Sequence, residues 1–153
     1  MDAELTDISA SNWLFCGRTA SNNAAFGMYS YASTGKMYFV YGTEQATFTT
    51  VPGLSRTTFN ADKNHAVING DGRTLTAQTF TSTATLCLLA RNTGGTIAGH
   101  AKAKLYSCKV YDNGTLIRDF KPCMLAGTRE VGLYDEIEGK FYGNKGSGSF
   151  TGA

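Results

Sequence analysis

The sequence predicts an all-β protein, either a sandwich or a barrel. Glycine is frequent, with 18 residues, whereas proline occurs only 2 times in 153 residues. Phenylalanine and tyrosine contribute 9 and 8 residues, and aromatic side chains of this kind favour strands. Short apolar runs recur about every 8–12 residues between turn signals, and no stretch has a helical period. We therefore expect many short strands connected by tight turns.

Thirteen strands are predicted, as short runs rich in apolar, aromatic or β-branched residues between turn signals. In chain order, the predicted strands are Ala3–Ile8, Trp13–Arg18, Ala25–Tyr31, Lys36–Tyr41, Ala46–Val51, Arg56–Asn60, His65–Ile68, Arg73–Thr79, Thr85–Arg91, Ala101–Tyr111, Thr115–Phe120, Gly132–Tyr134 and Lys140–Tyr142.

Five short segments carry the residues that reverse a chain. Asn69–Gly72 and Asn113–Gly114 place Asn and Gly where a type I′ hairpin turn needs a positive φ. Ser33–Gly35 and Pro52–Gly53 mark two more reversals. Asn92–Gly95 is expected to open a longer polar loop that runs to His100.

Length and charge limit the classes of protein to consider. A chain of 153 residues is the size of one domain, and 42% hydrophobic residues exclude intrinsic disorder. The 14 basic and 12 acidic residues are scattered and leave a net charge of only +2. A dedicated nucleic-acid-binding protein would carry a basic stripe, so we expect none. No apolar run approaches the roughly 18 residues that span a bilayer, so membrane insertion is not expected.

The N-terminal segment and the cysteines bear on the compartment. MDAELTDISA has neither a basic start nor an apolar stretch, so no signal peptide is predicted and synthesis in the cytoplasm is expected. The four cysteines are too far apart for a CxxC metal or redox motif. Cys16, Cys87 and Cys108 lie in apolar runs, where we expect buried free thiols.

The last third of the chain resembles a known family. It reads KLYSCKVYDNGTLIRDFKPC and then EVGLYDEIEGKFYGNKGSGSFTG, and the earlier segments WLFCGRT, GKMYFVYG, HAVINGDG and LCLLARN follow in the expected order. These segments resemble concanavalin A-like, laminin-G-like (LamG) domains of phage tail proteins and of surface proteins of gut Firmicutes. The resemblance implies one antiparallel jelly-roll β-sandwich over residues 1–153.

The beginning of the chain departs from that family. Its domains start with an additional strand that pairs near the C-terminal end, whereas this sequence starts within the second strand. The resemblance therefore implies a sandwich without its first strand, in which the final GSGSFTGA strand lacks a partner. An unpaired edge invites pairing with another chain or another domain.

A carbohydrate site is predicted on one sheet face, because sandwiches of this kind often bind sugars through rings and polar groups. If Phe26, Met28, Met37 and Phe39 face the core, alternation places Tyr29, Tyr31 and Tyr38 on the opposite face. Arg18 and Arg91 end neighbouring predicted strands and complete the candidate set. The alternative is that the tyrosines pack at the rim of the second sheet. For Trp13, packing in the core or at a strand edge is favoured over a role as a sugar platform.

Two other kinds of chemistry are weaker candidates. Relatives on this fold hydrolyse glucans with paired carboxylates, but Asp135–Glu138 (DEIE) does not match their E-x-D-x-x-E pattern, so we expect a solvated turn and no catalysis. His65 and His100 form no metal-binding motif. Calcium stays open, since laminin-G-like relatives often bind it and Asp71 or Asp112 is a candidate ligand. No other cofactor is expected.

The sequence therefore predicts a non-catalytic recognition module. Its expected ligand is a glycan or a host cell-surface polysaccharide, and its expected partners are other domains or subunits of a tail fibre or surface protein. The expected location is a virion tail or, for a fragment of a larger protein, a cell surface. The alternative is a purely structural or oligomerisation module of a fibre.

Overall fold

The computed structural model describes residues 1–20, 23–145 and 149–152, and within these ranges all regular structure is β. The strands lie in two sheets, which confirms the all-β prediction. They are β1 (Asp2–Leu5), β2 (Asn12–Arg18), β3 (Ala25–Ser30), β4 (Met37–Gly42), β5 (Glu44–Thr47), β6 (Thr57–Asp62), β7 (His65–Ile68), β8 (Asp71–Thr74), β9 (Cys87–Leu88), β10 (Arg91–Thr93), β11 (Thr96–Ala98), β12 (Ala103–Asp112), β13 (Thr115–Met124), β14 (Val131–Asp135) and β15 (Lys140–Tyr142).

The chain divides into two compact units. The larger unit is Glu4–Lys104, and the smaller combines Met1–Ala3 with Leu105–Ala153. The single domain over residues 1–153 stays a prediction.

Within the larger unit, strands of both sheets form a sandwich-like arrangement. One sheet has the order β11-β10-β2-β3-β4-β5, with β9 also paired to β2. The other contributes the antiparallel meander β6-β7-β8. The buried side chains include Leu14, Met28, Met37, Phe39 and Phe59, so the predicted core face of β3 and β4 is confirmed for Met28, Met37 and Phe39. Phe26 is only half-buried.

One strand pair departs from the antiparallel prediction. β10 runs parallel to β2, with Asn92 opposite Gly17 and Thr93 opposite Arg18. The cause is the short β9, which pairs antiparallel with the same edge of β2. The chain then turns at Leu89, whose φ is 57°, so the next strand on that edge must run in the opposite direction to β9.

The Asn-Gly turns have the predicted conformation. Asn69 and Gly70 have φ values of 48° and 84° and connect β7 to β8. Asn113 and Gly114 have values of 46° and 82° and connect β12 to β13. Both pairs of positive φ values are those of type I′ turns.

The prediction of a long polar loop from Asn92 to His100 is wrong. Instead β10 and β11 form a tight hairpin in which Thr93 lies opposite Thr96. The two glycines between them, Gly94 and Gly95, both have positive φ values, which lets the chain reverse within two residues.

Two predicted strands are much shorter than expected, Arg73–Thr79 and Thr85–Arg91. β8 ends at Thr74, and the next residue, Leu75, donates its backbone N–H to the Asn64 carbonyl at 2.9 Å. Tyr41 donates its hydroxyl to the Gln78 carbonyl at 3.1 Å, and Thr43 donates its backbone N–H to the Gln78 side chain at 3.1 Å. The alternating threonines of this segment do not show that hydrogen bonds of Gln78 to Tyr41 and Thr43 form in place of strand pairing.

The smaller unit contains a second antiparallel meander, formed by β12, β13, β14 and β15. Asp135 at the end of β14 is fully buried and accepts backbone N–H groups of Asp119 and Ile137, each at 3.0 Å. Tyr134 is 41% exposed, so it does not fill a core as its position in an aromatic strand suggests. Residues 149–152 form no strand, and the remainder of the predicted GSGSFTGA strand lies outside the described residues.

All four cysteines are free thiols. Cys16 and Cys108 are buried as predicted, whereas Cys87 and Cys123 are half-buried. Burial raises the pKa of the Cys16 thiol to about 11. This thiol therefore stays protonated at neutral pH and packs as a small apolar group.

Candidate functional site

Three aromatic rings form a stack across neighbouring strands of the larger unit. In the register of β2, β3 and β4, Trp13 lies opposite Tyr29, and Tyr29 lies opposite Tyr38. The ring centroids of Trp13 and Tyr29 are 4.3 Å apart with planes 20° apart, and those of Tyr29 and Tyr38 are 5.1 Å apart with planes 14° apart. We call these three residues the aromatic stack.

A β-bulge places Trp13 on the same face as the tyrosines. The register shifts between Trp13 and Phe15, so that Trp13 pairs with Tyr29 while Phe15 pairs with Met28. Leu14 is the extra residue, and it is fully buried. The four consecutive apolar residues WLFC are the signal in the sequence, since a regular strand with one polar face would have alternated.

The aromatic stack is buried at Trp13, and an exposed ring, Tyr31, lies beside its other end at Tyr38. Trp13 is 5% exposed, which agrees with the packing favoured for it, but one side of its ring still faces a cavity. Tyr31 is 52% exposed and meets Tyr38 edge to face, with centroids 6.1 Å apart. Tyr29 donates its hydroxyl to Gln45 Oε1 at 3.0 Å, and partial burial raises its pKa. Packing of these tyrosines at the rim of the second sheet, the alternative to a sugar site, stays a prediction.

Two arginines meet at the Trp13 end of the stack. The guanidinium carbons of Arg18 and Arg91 lie 5.4 Å and 5.8 Å from the centre of the Trp13 ring. The parallel pairing of β2 and β10 brings them together, because it sets Arg18 opposite Thr93, two residues after Arg91. Arg18 Nε donates to Thr93 Oγ1 at 2.8 Å. Partial burial and then the charge of Arg91 lower the pKa of Arg18.

A cavity of about 290 Å³ lies among these side chains. Four of the five residues predicted from the sequence line this cavity, namely Arg18, Tyr29, Tyr31 and Arg91. The fifth, Tyr38, is not among its lining residues but stacks on Tyr29. Further lining residues that the sequence did not reveal are Ser11, Val40 and Gln45. Gln45 lies on β5, opposite Val40, and only the strand order shows that it reaches this face.

Gly99 leaves the space that the Trp13 ring occupies, because it has no side chain. A Cβ at residue 99 would lie 2.7 Å from Cδ1 of Trp13, closer than a side chain can approach. The φ of Gly99 is +60°, and its carbonyl accepts the backbone N–H of Trp13 at 3.3 Å. Gly99 is therefore a positioning residue for the indole.

The acidic segment does not form a pair of catalytic carboxylates on a strand. Glu136 and Glu138 lie in the turn between β14 and β15, and both are exposed. Glu138 pairs with Arg118 Nη2 at 2.5 Å, and Glu136 lies 3.8 Å from Lys121 Nζ. The two carboxylates face different cations, which are shared with Asp135 and Asp119, whereas a retaining hydrolase needs two carboxyl groups side by side.

Asp71 does not fit the calcium site considered for it. Its Oδ2 accepts the backbone N–H groups of Thr49 and Thr50, each at 2.8 Å, and the Thr49 hydroxyl at 2.7 Å. Arg73 forms an ion pair with Oδ1. The second candidate, Asp112, accepts the Asn113 side-chain amide of its own hairpin turn at 3.0 Å. No group of three or more His, Cys, Asp or Glu side chains that could hold a metal ion occurs in the described ranges.

Asp71 instead connects β8 to the segment that follows β5, through its hydrogen bonds with Thr49 and Thr50. We therefore expect the Asp71→Asn variant to be less stable at neutral pH. The Thr50 and Thr49 hydrogen bonds lower the pKa of Asp71 from 3.8 to about 2. A depressed carboxyl pKa stabilises the fold above the unfolded value, and this contribution is lost as the pH falls toward 2. The wild type should melt several degrees above the variant at pH 6, and the difference should shrink between pH 4 and pH 2. A difference in melting temperature that does not change with pH would contradict this role.

Within the described residues, no helix has the length and apolar character needed to cross a membrane. Comparisons of the chain with protein-family models, with curated proteins and with solved structures found no match. The site is therefore interpreted from its own geometry.

Proposed function

We propose that this chain is a non-catalytic recognition module that binds a carbohydrate in the cavity between the aromatic stack and the two arginines. The observation that supports this most is the combination of ring faces and polar donors around one cavity of about 290 Å³. Ligand cavities range from about 300 to 1,000 Å³ and have a few convergent polar groups, so this cavity lies at the small end of that range. A cavity of this size suits one or two sugar rings.

The chemistry of the lining matches the two sides of a sugar. The apolar C–H face of a pyranose packs against aromatic rings, and Tyr31 and Tyr29 offer such faces. Sugar hydroxyls need donors and acceptors, which the guanidinium groups, the Gln45 amide and the Ser11 hydroxyl provide. Because Tyr29 and Tyr31 line one cavity together with two guanidinium groups, we favour binding over the spacer alternative.

The resemblance noted in the sequence extends this proposal to the protein's setting. We propose that the sandwich is of the concanavalin A-like, laminin-G-like jelly-roll type. We also propose that it belongs to a phage tail or a bacterial surface protein, where it contacts a host cell-surface polysaccharide. Other domains or subunits of the same fibre are its proposed neighbours.

A glycan array tests the proposal with the labelled full chain. Tyr31→Ala removes the most exposed ring of the site, and Tyr111→Ala is the matched control because that ring is 57% exposed and lies in the smaller unit. We expect specific signals from the wild type and from Tyr111→Ala, and a loss of about tenfold or more for Tyr31→Ala, since stacked rings dominate such contacts. Folding of each variant is checked by circular dichroism.

The array is repeated with calcium and with a chelator. Because the Asp71 carboxylate is occupied by Thr49, Thr50 and Arg73, we expect the same signals under both conditions. Absence of binding by the folded wild type under both conditions would overturn the proposal and favour the structural module. Equal loss of binding in both tyrosine variants would also contradict this site.

A further inference from the structure

We propose that the cavity selects a sugar that carries an anionic group, a carboxylate or a sulfate, on its ring. This inference rests on the proposed carbohydrate recognition and adds the chemical class of the ligand. Its basis is the charge at the Trp13 end of the aromatic stack.

Arg18 and Arg91 are two neighbouring cations without a counter-charge. Among the described residues no carboxylate lies within ion-pair distance of either, and Arg91 Nε is buried without a hydrogen-bond partner. Two other arginines are paired with carboxylates, Arg73 with Asp71 and Arg118 with Glu138. Arg18 and Arg91 are instead two partly buried cations that share one ring.

Bringing two guanidinium groups over one indole is unfavourable unless something offsets their repulsion. Partial burial lowers the pKa of Arg18, and the neighbouring charge of Arg91 lowers it further. The Trp13 ring compensates part of the cost through its electron-rich face, but it supplies no hydrogen-bond acceptor. An anion between the two groups would supply both the charge and the acceptors.

The rings specify what carries the anion. Tyr29 and Tyr31 line the same cavity as the two arginines, so a ligand that fills it meets ring faces and cations together. A free inorganic anion would use only the arginines, and a neutral sugar could accept their hydrogen bonds through its hydroxyls but would leave both charges uncompensated. A ring with an attached carboxylate or sulfate uses all four side chains.

A single-stranded nucleic acid also combines rings with anions, but the surroundings argue against it. Such ligands are bound along extended positive grooves that follow the phosphate backbone. Here the cavity has room for one or two rings, and the chain as a whole carries a net charge of only +2. An oligonucleotide is therefore included in the test as a competing outcome.

The test uses matched pairs of oligosaccharides that differ only in whether the exocyclic carbon is a hydroxymethyl group or a carboxylate. Glucose, galactose and mannose oligomers are compared with the corresponding uronic acid oligomers, and a third arm carries a sulfate ester at the same carbon. Trp13 is the only tryptophan of the chain, so its fluorescence reports on the cavity directly. Isothermal titration calorimetry provides a second readout.

We expect at least one anionic oligomer to bind about tenfold or more tightly than its neutral partner, because hydrogen bonds to charged groups are the stronger ones. Raising the salt from about 0.05 to about 0.5 M should weaken the anionic ligand and leave the neutral one unchanged. The carboxylate and sulfate arms distinguish the two sources of the anion.

Arg91→Gln is the decisive variant, with Lys63→Gln as the charge-matched control in the exposed β6–β7 turn. We expect Arg91→Gln to remove the preference for the anionic partner while weak binding of the neutral one persists, and Lys63→Gln to behave as the wild type. Arg91→Lys, which keeps the charge, should retain part of the preference.

Equal binding of neutral and anionic partners, with no effect of Arg91→Gln, would overturn the anionic class while carbohydrate recognition stands. No binding of any oligosaccharide would overturn both proposals. Tighter binding of a single-stranded oligonucleotide that displaces the sugars would also overturn this one.

Discussion

The Trp13→Ala variant is expected to lose about 3–5 kcal/mol in the free energy of unfolding and to lose ligand binding as well. Trp13 is 5% exposed, stacks on Tyr29 and carries both guanidinium groups over its ring. Its removal opens a void under the cavity, so the arginines lose their common support. Urea unfolding followed by circular dichroism measures the first effect, and calorimetric titration with the best array ligand measures the second.

Two further variants separate the role of Trp13 in folding from its role in the site. Met28→Ala removes a fully buried side chain from β3, next to Tyr29 in sequence and on the opposite face of the sheet. It should cost about 2–5 kcal/mol and leave the affinity unchanged under conditions where the chain is folded. Trp13→Phe should keep part of the stacking and part of the affinity. If Met28→Ala weakened binding as strongly as Trp13→Ala, the effect of Trp13 would be one of stability alone.

The second large effect is expected for Asn12→Ala, because one buried amide connects four segments of the larger unit. Asn12 Nδ2 donates to the carbonyls of Asp7 and Ala10 at 2.7 and 2.9 Å and contacts Ser30 Oγ at 3.1 Å. Its Oδ1 accepts the backbone N–H of Lys102 at 2.7 Å. Alanine would leave these partners without the amide, at a position where Asn12 and Ser30 are themselves buried.

We expect Asn12→Ala to lower the free energy of unfolding by about 3 kcal/mol or more, since each unsatisfied buried group costs about 1–3 kcal/mol. Asn64→Ala is the matched control. The Asn64 amide makes one hydrogen bond, to the Leu75 carbonyl at 2.6 Å, and it should cost about 1 kcal/mol. Denaturant unfolding of the two variants gives the comparison, and equal losses would show that the network around Asn12 has no special weight.

The hairpins were predictable because their signals are local. Asn69-Gly70 and Asn113-Gly114 fix the turn type within two residues, and the φ values agree. Alternation likewise separated Met28 and Phe39 from the tyrosines of the same strands. In each case neighbouring residues alone determine the outcome.

What the sequence did not reveal depends on partners that are distant along the chain. The parallel pairing of β10 with β2 follows from the turn at Leu89, and the loss of strand structure after Thr74 follows from Gln78 contacts with Tyr41 and Thr43. Neither arrangement leaves a periodic signal. For the same reason the sequence suggested the two arginines but not their common contact with Trp13.

The position of β2 between β3 and β10 also has a consequence for the order of folding. Strands β2 to β5 follow one another as hairpins, so loop closure costs little entropy there and the aromatic stack can form early. β10 must close a loop of more than seventy residues before Arg91 reaches the indole. We therefore expect refolding to assemble the site in two stages, with the rings in place before the second cation arrives. A nascent chain that ends before Arg91 would contain the rings of the aromatic stack and Arg18. The second guanidinium group would be added only when β10 is synthesised.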